Sequence, residues 1–146
     1  MDKPERILER WKGKTLSECI KIVARDVQYL VRISAADADG LCQCVTCGKV
    51  DSFKAMDAGH FASRSSLSTI FDTTNIHPQC KRCNRYLHGN MGTYVLYMDE
   101  EYGYNHMIDL LRRSQDDHDW TKESLAELRH QTKLAIKKEK ERLGLG

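Results

Sequence analysis

Residues that bind metals or move protons crowd the middle of this chain: His60, Asn75, Asn84 and His88, with Asp57 just ahead of them. Interleaved with them are two Cys-x-x-Cys pairs, Cys44 with Cys47 and Cys80 with Cys83. Neither packing nor solubility requires such a layout. An imidazole suits proton transfer near neutral pH, because its ordinary pKa is about 6.5. Thiolates paired across two residues suit tetrahedral zinc, whose Zn–S bonds of about 2.3 Å contribute directly to folding. The expectation is two metals with separate duties, one holding the fold and one doing chemistry.

Zinc is preferred to disulfides for the cysteines. Met1-Asp2-Lys3-Pro4-Glu5-Arg6 is followed by no apolar export segment, and four of the six cysteines fall into the two pairs. Cys44-Val45-Thr46-Cys47-Gly48-Lys49 has the knuckle form, with Gly48 free to turn the backbone after the second thiolate. Cys42 is close enough to substitute for Cys44, but the spacing to Cys47 selects Cys44. Cys19 lies on an apolar helical stripe and reads as a small buried hydrophobe. The 32 residues between Cys47 and Cys80 exceed what a plain zinc ribbon uses, so the strand and loop holding His60 and Asn75 are an insertion.

Asp57-Ala58-Gly59-His60-Phe61, Asn75-Ile76-His77-Pro78-Gln79-Cys80, Cys83-Asn84 and Leu87-His88-Gly89-Asn90 together resemble the NinG/Rap family of phage recombination nucleases, within the HNH or ββα-metal superfamily. The resemblance covers roughly Cys44 to Tyr94. It implies His60 as the general base, Asn75 as the residue fixing the loop and orienting the His60 ring, and Asn84 as an oxygen ligand to a catalytic divalent ion. His88, one helical turn beyond Asn84 in the expected helix, would share that ion. Asp57 would bind it directly or brace the group that does. Mg²⁺ suits oxygen ligands, and a nitrogen ligand such as His88 also suits Mn²⁺. The activity implied is DNA phosphodiester hydrolysis leaving 5′-phosphate ends. The substrates implied are branched recombination intermediates such as Holliday junctions or D-loops, in the cytoplasm of a phage-infected bacterium.

These residues need elements to position them. The pattern predicts an α+β fold of one domain, 1–146: an N-terminal helical segment (1–40), a zinc-stapled ββα-metal (HNH) core (41–100) and C-terminal helices (101–146). Thr15-Leu16-Ser17-Glu18 matches a capping box, and Leu16, Cys19, Ile20, Val23, Val27, Leu30 and Val31 follow at helical spacing. A hairpin is expected within 50–61, with 55–61 as the strand carrying His60. A second strand is expected over 75–79, ended by Pro78 and the cysteines, and a helix over 81–89. Helices are further expected over 93–101, 105–113 and from Thr121 to about Leu143, where Gly144 supplies the stop. Leu125, Leu128, Thr132 and Ala135 form a narrow seam on the last helix, interrupted at Glu139. It is the sequence's one offer of a surface for a homodimer. Trp11, Trp120, His106, His118 and His130 read as packing or surface residues.

Net charge is only +2, from 23 Lys and Arg against 21 Asp and Glu, so overall basicity does not announce a nucleic-acid partner. Local charge does. Between Ala58 and Met98 the single acid is Asp72, whereas Arg64, Lys81, Arg82 and Arg85 are basic. With His77, which alternates with Asn75 and either faces the cleft or makes a structural hydrogen bond, these are the candidate DNA contacts. They would position a duplex without reading its bases. The last helix, with seven Lys or Arg against four Glu from Lys122 to Arg142, is either a solvated face or a DNA-facing arm. No apolar run approaches the ~20 residues of a membrane span, so no membrane partner is expected. Two rivals remain: a less selective HNH nicking or restriction-type endonuclease, and a non-catalytic zinc-ordered DNA-binding module.

Overall fold

A computed structural model describes residues 3–145. Pro4 opens a short helix, α1 (Pro4–Arg10), at a position where a missing N–H costs nothing. The Thr15 hydroxyl then accepts the Glu18 N–H at 3.1 Å and starts α2 (Leu16–Ser34). Cys19, Val23, Val27 and Val31 bury the stripe that the spacing predicts, and Cys19 behaves as a core residue. The last helix, α5 (Lys122–Arg142), lies along α2 and also meets α1. Its start has a reciprocal capping box between Thr121 and Ser124, and Gly144 ends it with φ of +70°. Ile7, Trp11, Ile70, Phe71 and Ile76 complete the core between these helices.

The apolar seam of α5 is used inside the chain. Leu125, Ala126, Thr132 and Ile136 are buried, with Leu125 and Ala126 in the core shared with α1 and α2. Of the four seam residues, Leu125 and Thr132 are thereby buried within the chain, while Leu128 and Ala135 are half-buried. Heptad spacing marks an apolar face without saying which element will cover it.

Strand pairing also departs from expectation. Two antiparallel pairs form: β1 (Leu41–Gln43) with β2 (Val50–Ser52), and β3 (Asp57–His60) with β4 (Ile76–Gln79). The segment after Val50 therefore pairs backwards across the first knuckle, not forwards into a hairpin with β3. Pro78 does not stop β4 but sits within it opposite Ala58, tolerable because each strand of a two-stranded sheet has an open edge. Asn75 precedes β4, in a 3₁₀ turn (Thr73–Asn75).

The helix expected over 81–89 is reduced to a π-helical turn (Arg82–Tyr86), after which His88 and Asn90 take left-handed φ values of +50° and +49°. Wide i→i+5 bonding, Leu87 N–H to Arg82 C=O at 2.9 Å, replaces a regular turn. His88 is therefore not one α-helical turn from Asn84. Two further helices, α3 (Met91–Tyr102) and α4 (Tyr104–Arg113), are separated by Gly103 at φ +88°. With Phe61 they bury Tyr94, Met98, Met107 and Leu110 in a second apolar cluster. A third surrounds the cysteines, with Ile33, Ala36, Phe53 and Met56.

Gly59, at the centre of β3, is needed for space. A Cβ there would clash with Gln79 Oε1, and the Gly59 carbonyl accepts the Tyr94 hydroxyl at 2.7 Å. Gly59→Ala is expected to cost about 1–3 kcal/mol by overpacking, measured as a lowered midpoint in denaturant unfolding. An unchanged midpoint would show that Gln79 moves aside freely.

Candidate active site and metal centre

Cys44 and Cys47 flank the tight turn between β1 and β2, while Cys80 precedes the π-helical turn and Cys83 lies within it. Their four Sγ atoms lie within 4.8 Å of one another. Tetrahedral zinc with bonds of about 2.3 Å spaces its sulfurs by just under 4 Å, so the quartet fits. Polar groups already point at the sulfurs: Thr46 Oγ1 lies 3.3 Å from Cys44, the Cys83 N–H donates to Cys80 at 3.4 Å, and Asn90 Nδ2 donates to Cys83 at 3.6 Å. Burial opposes ionisation of Cys44, but the Thr46 hydroxyl and nearby backbone donors bring it down to about 6. Despite a backbone donor at Lys49, burial and the three neighbouring thiols push Cys47 up to about 12. Four thiolates this close repel one another, and a dication among them removes that repulsion. Cys42 is buried outside the quartet, as the spacing predicts.

Asp57, His60, Arg64, Asn84, Arg85 and His88 line one open cleft of about 630 Å³, together with Gln28 and Arg32 of α2. The two elements that hold most of them are β3 and the π-helical turn. The Asp57 carboxylate takes both arms of Arg85, at 2.8 and 3.0 Å, and Asn84 Nδ2 at 3.0 Å. Burial would raise its pKa, but these donors outweigh it and hold the carboxyl below the usual range. With the Asn84 NH₂ committed to Asp57, Oδ1 is the end left for a cation. Asp57 therefore fixes the orientation of the Asn84 amide.

His60 Nε2 lies 3.2 Å from the Ile70 carbonyl. A carbonyl only accepts, so Nε2 carries the proton and Nδ1 keeps the lone pair. Burial, aided by Arg64 and opposed by the Ile70 carbonyl, lowers the His60 pKa below the ordinary imidazole value. The ring is thus neutral at neutral pH, with its lone pair on Nδ1.

Asn75 is fully buried and clamps the loop that follows His60. Its Oδ1 accepts the Ala62 N–H at 2.7 Å, and its Nδ2 donates to the Ala62 and Thr69 carbonyls at 3.0 and 3.4 Å. These bonds tie the loop to Asn75, whereas the bond on the His60 ring comes from Ile70.

His77 is a correction. Its ring is 6% exposed and outside the cleft, with Nδ1 2.8 Å from the Tyr94 hydroxyl and Nε2 2.6 Å from that of Tyr102. Tyr94 donates to Gly59, so it accepts from Nδ1–H, and Nε2 accepts from Tyr102. Both nitrogens are used, which leaves none for a phosphate. Lys81 and Arg82 are exposed beside the cleft without lining it. The sequence reading missed Gln28, Arg32 and Tyr94. Gln28 and Arg32 stand four residues apart on α2, where periodicity identifies a common face but not what lies opposite.

Fold and site define a class: a mixed α+β protein with a four-cysteine centre suited to a zinc-type metal and a polar, cation-rich cleft. The chain belongs to the NinG family of phage proteins, since the family profile described as Bacteriophage Lambda NinG protein matches residues 2–142. It is 27% identical over 114 residues to Protein ninG of Salmonella phage P22, covering 77% of this chain and 55% of that one. Similarity to Protein ninG of Escherichia phage 933W is 29% over 100 residues, 68% of this chain and 49% of the relative. For the protein of the same name in Escherichia phage lambda it is 25% over 114 residues, with 77% and 55% covered. The chain thus spans about half the length of these relatives. No solved structure gives a significant match.

Two predictions follow from this geometry. Cys80→Ser is expected to lower both zinc content by atomic emission and the melting temperature; a metal-free protein of equal stability would contradict the centre. Burial holds the His77 pKa at about 4 against an ordinary 6.5. Its contribution to stability is therefore complete above pH 6.5 and lost as pH falls to about 4, a difference of up to about 3 kcal/mol. His77→Gln should lack that part of the pH dependence in unfolding experiments, and identical pH slopes would refute the assignment.

Proposed function

We propose that the cleft is the active site of a metal-dependent DNA endonuclease of the HNH or ββα-metal type, in which β3, β4 and the π-helical turn stand for the two strands and helix. The observation that carries this reading is one cleft shared by His60, with a free Nδ1 and a depressed pKa, and Asn84, with its amide oxygen freed by Asp57. His60 Nδ1 accepts the proton of a water attacking the phosphorus. Asn84, with His88 at the same rim and Asp57 beside it, would hold a hard divalent ion. The chemistry that Mg²⁺ or Mn²⁺ would supply there is positive charge for the transition state and the departing 3′ oxygen. Arg64, Arg32 and Arg85 surround the scissile phosphate and bind its neighbours.

Cys44, Cys47, Cys80 and Cys83 hold zinc in a structural role on this reading, because all four positions of a tetrahedron are filled by sulfur. Branched recombination intermediates are the proposed substrates, on the strength of the family resemblance and not of the cleft chemistry. The test is cleavage of labelled four-way junctions and matched linear duplexes with Mg²⁺, Mn²⁺ or chelator. His60→Ala should keep its zinc and melting temperature while losing about 10²–10⁴-fold in rate. Wild-type rates in that variant would remove the catalytic assignment, and equal wild-type rates on both DNAs would remove the branch preference.

A further inference from the structure

A second concavity, of about 390 Å³, is lined by residues of α2 and α5. Gln28 and Arg32 line both it and the first cleft, so the two adjoin. Its charged walls are Arg25, Arg32, Lys133 and Lys140 against a single acid, Asp26. That acid is already engaged, lying 3.5 Å from Arg129 and 3.6 Å from Lys133. Tyr29 sits among the cations with Arg32 and Lys140 each 5.7 Å from its ring centroid. The ring's negative face offsets part of the repulsion between them, and a polyanion would offset the rest.

The chain as a whole is nearly neutral, so a concentration of positive charge in one groove that adjoins the cleft is a local feature. We infer that this α2–α5 groove is a second DNA-binding surface, which carries the phosphate backbone of a duplex segment away from the cleft. Arg25, Arg32, Lys133 and Lys140 are its phosphate contacts. Such contacts give affinity and direction without base specificity. The inference rests on the reading of the cleft as a DNA site and adds the path the DNA takes beyond it. It also assigns α5 the DNA-facing role over that of a merely solvated helix.

Arg25 and Lys140 carry no salt bridge among the described residues, and neither lines the cleft, so the double variant Arg25→Gln/Lys140→Gln tests the groove alone. Binding is followed by fluorescence anisotropy on a labelled four-way junction and a linear duplex, with Ca²⁺ replacing Mg²⁺ so that cleavage does not intervene. Expected is an affinity loss of about tenfold or more, and a fall of about 2 in the slope of log affinity against log salt. Zinc content, melting temperature and the rate at saturating DNA should not change, and the charge-preserving Arg25→Lys/Lys140→Arg should bind like wild type. Unchanged affinity and salt slope in the glutamine variant would overturn the groove, whatever the cleavage assay shows. Groove-dependent binding by a protein that cleaves nothing would keep the groove and remove the nuclease reading. A wild-type chain that binds neither DNA would remove both.

Discussion

The register between β3 and β4 is the constraint on which the arrangement depends. Asp57 lies opposite Gln79, Ala58 opposite Pro78, Gly59 opposite His77 and His60 opposite Ile76. Side chains alternate along a strand, so a slip of one residue would turn His60 away from the cleft and drive its neighbours into the wrong face. Gly59 limits such slippage, because only a residue without Cβ fits beneath the Gln79 side chain. Four-residue strands paired in isolation are marginal in water. This pair is held from outside.

Anchors act at each end and from behind. Beyond His60, Asn75 ties the outgoing loop with side-chain and backbone bonds, including the Phe61 N–H to its own carbonyl at 2.8 Å. Past Gln79, Cys80 and Cys83 join the first knuckle, so a metal bound by the quartet would couple β4 to β1 and β2. On the far face, the hydroxyl-imidazole chain from Tyr102 through His77 and Tyr94 ends on the Gly59 carbonyl. Every donor in that chain has an acceptor only if the imidazole is neutral, which links the rigidity of the strand to the protonation of a buried histidine. The helical wall of α1, α2 and α5 supplies the large apolar core that the short strands lack.

Electrostatics in the cleft follows from the same geometry. Asp57 is 14% exposed in its side chain and holds Arg85, 59% exposed, in a bidentate pair. The pair is worth little as a surface salt bridge; its consequence is directional, because the same carboxylate turns the Asn84 amide. Arg32 reaches the cleft from α2 by bonding the Met56 carbonyl at 3.2 Å, which also ties that helix to the segment leading into β3. Positive charge therefore comes to the cleft from three separate parts of the chain, Arg32, Arg64 and Arg85.

Several of these features were legible in the residues alone. The cysteine quartet could be chosen, and Cys42 set aside, because metal ligation imposes a spacing that a chain cannot satisfy by accident. The buried stripe of α2 and the ends of α5 were legible because helix period and capping are local. His60 and Asn84 could be named from their motifs and expected at one site, and they line one cleft. Tertiary structure alone decided which strand pairs with which, since alternation marks a buried face and not its partner. It also decided that Leu125 and Ala126 of α5 enter the core with α1 and α2, that His77 looks inward to two tyrosines, and that Arg32 and Gln28 join the site. The shortened π-helical turn and the left-handed His88 belong to the same group: backbone forced between a cysteine centre and α3 takes the shape those anchors permit, and local propensity does not outweigh them.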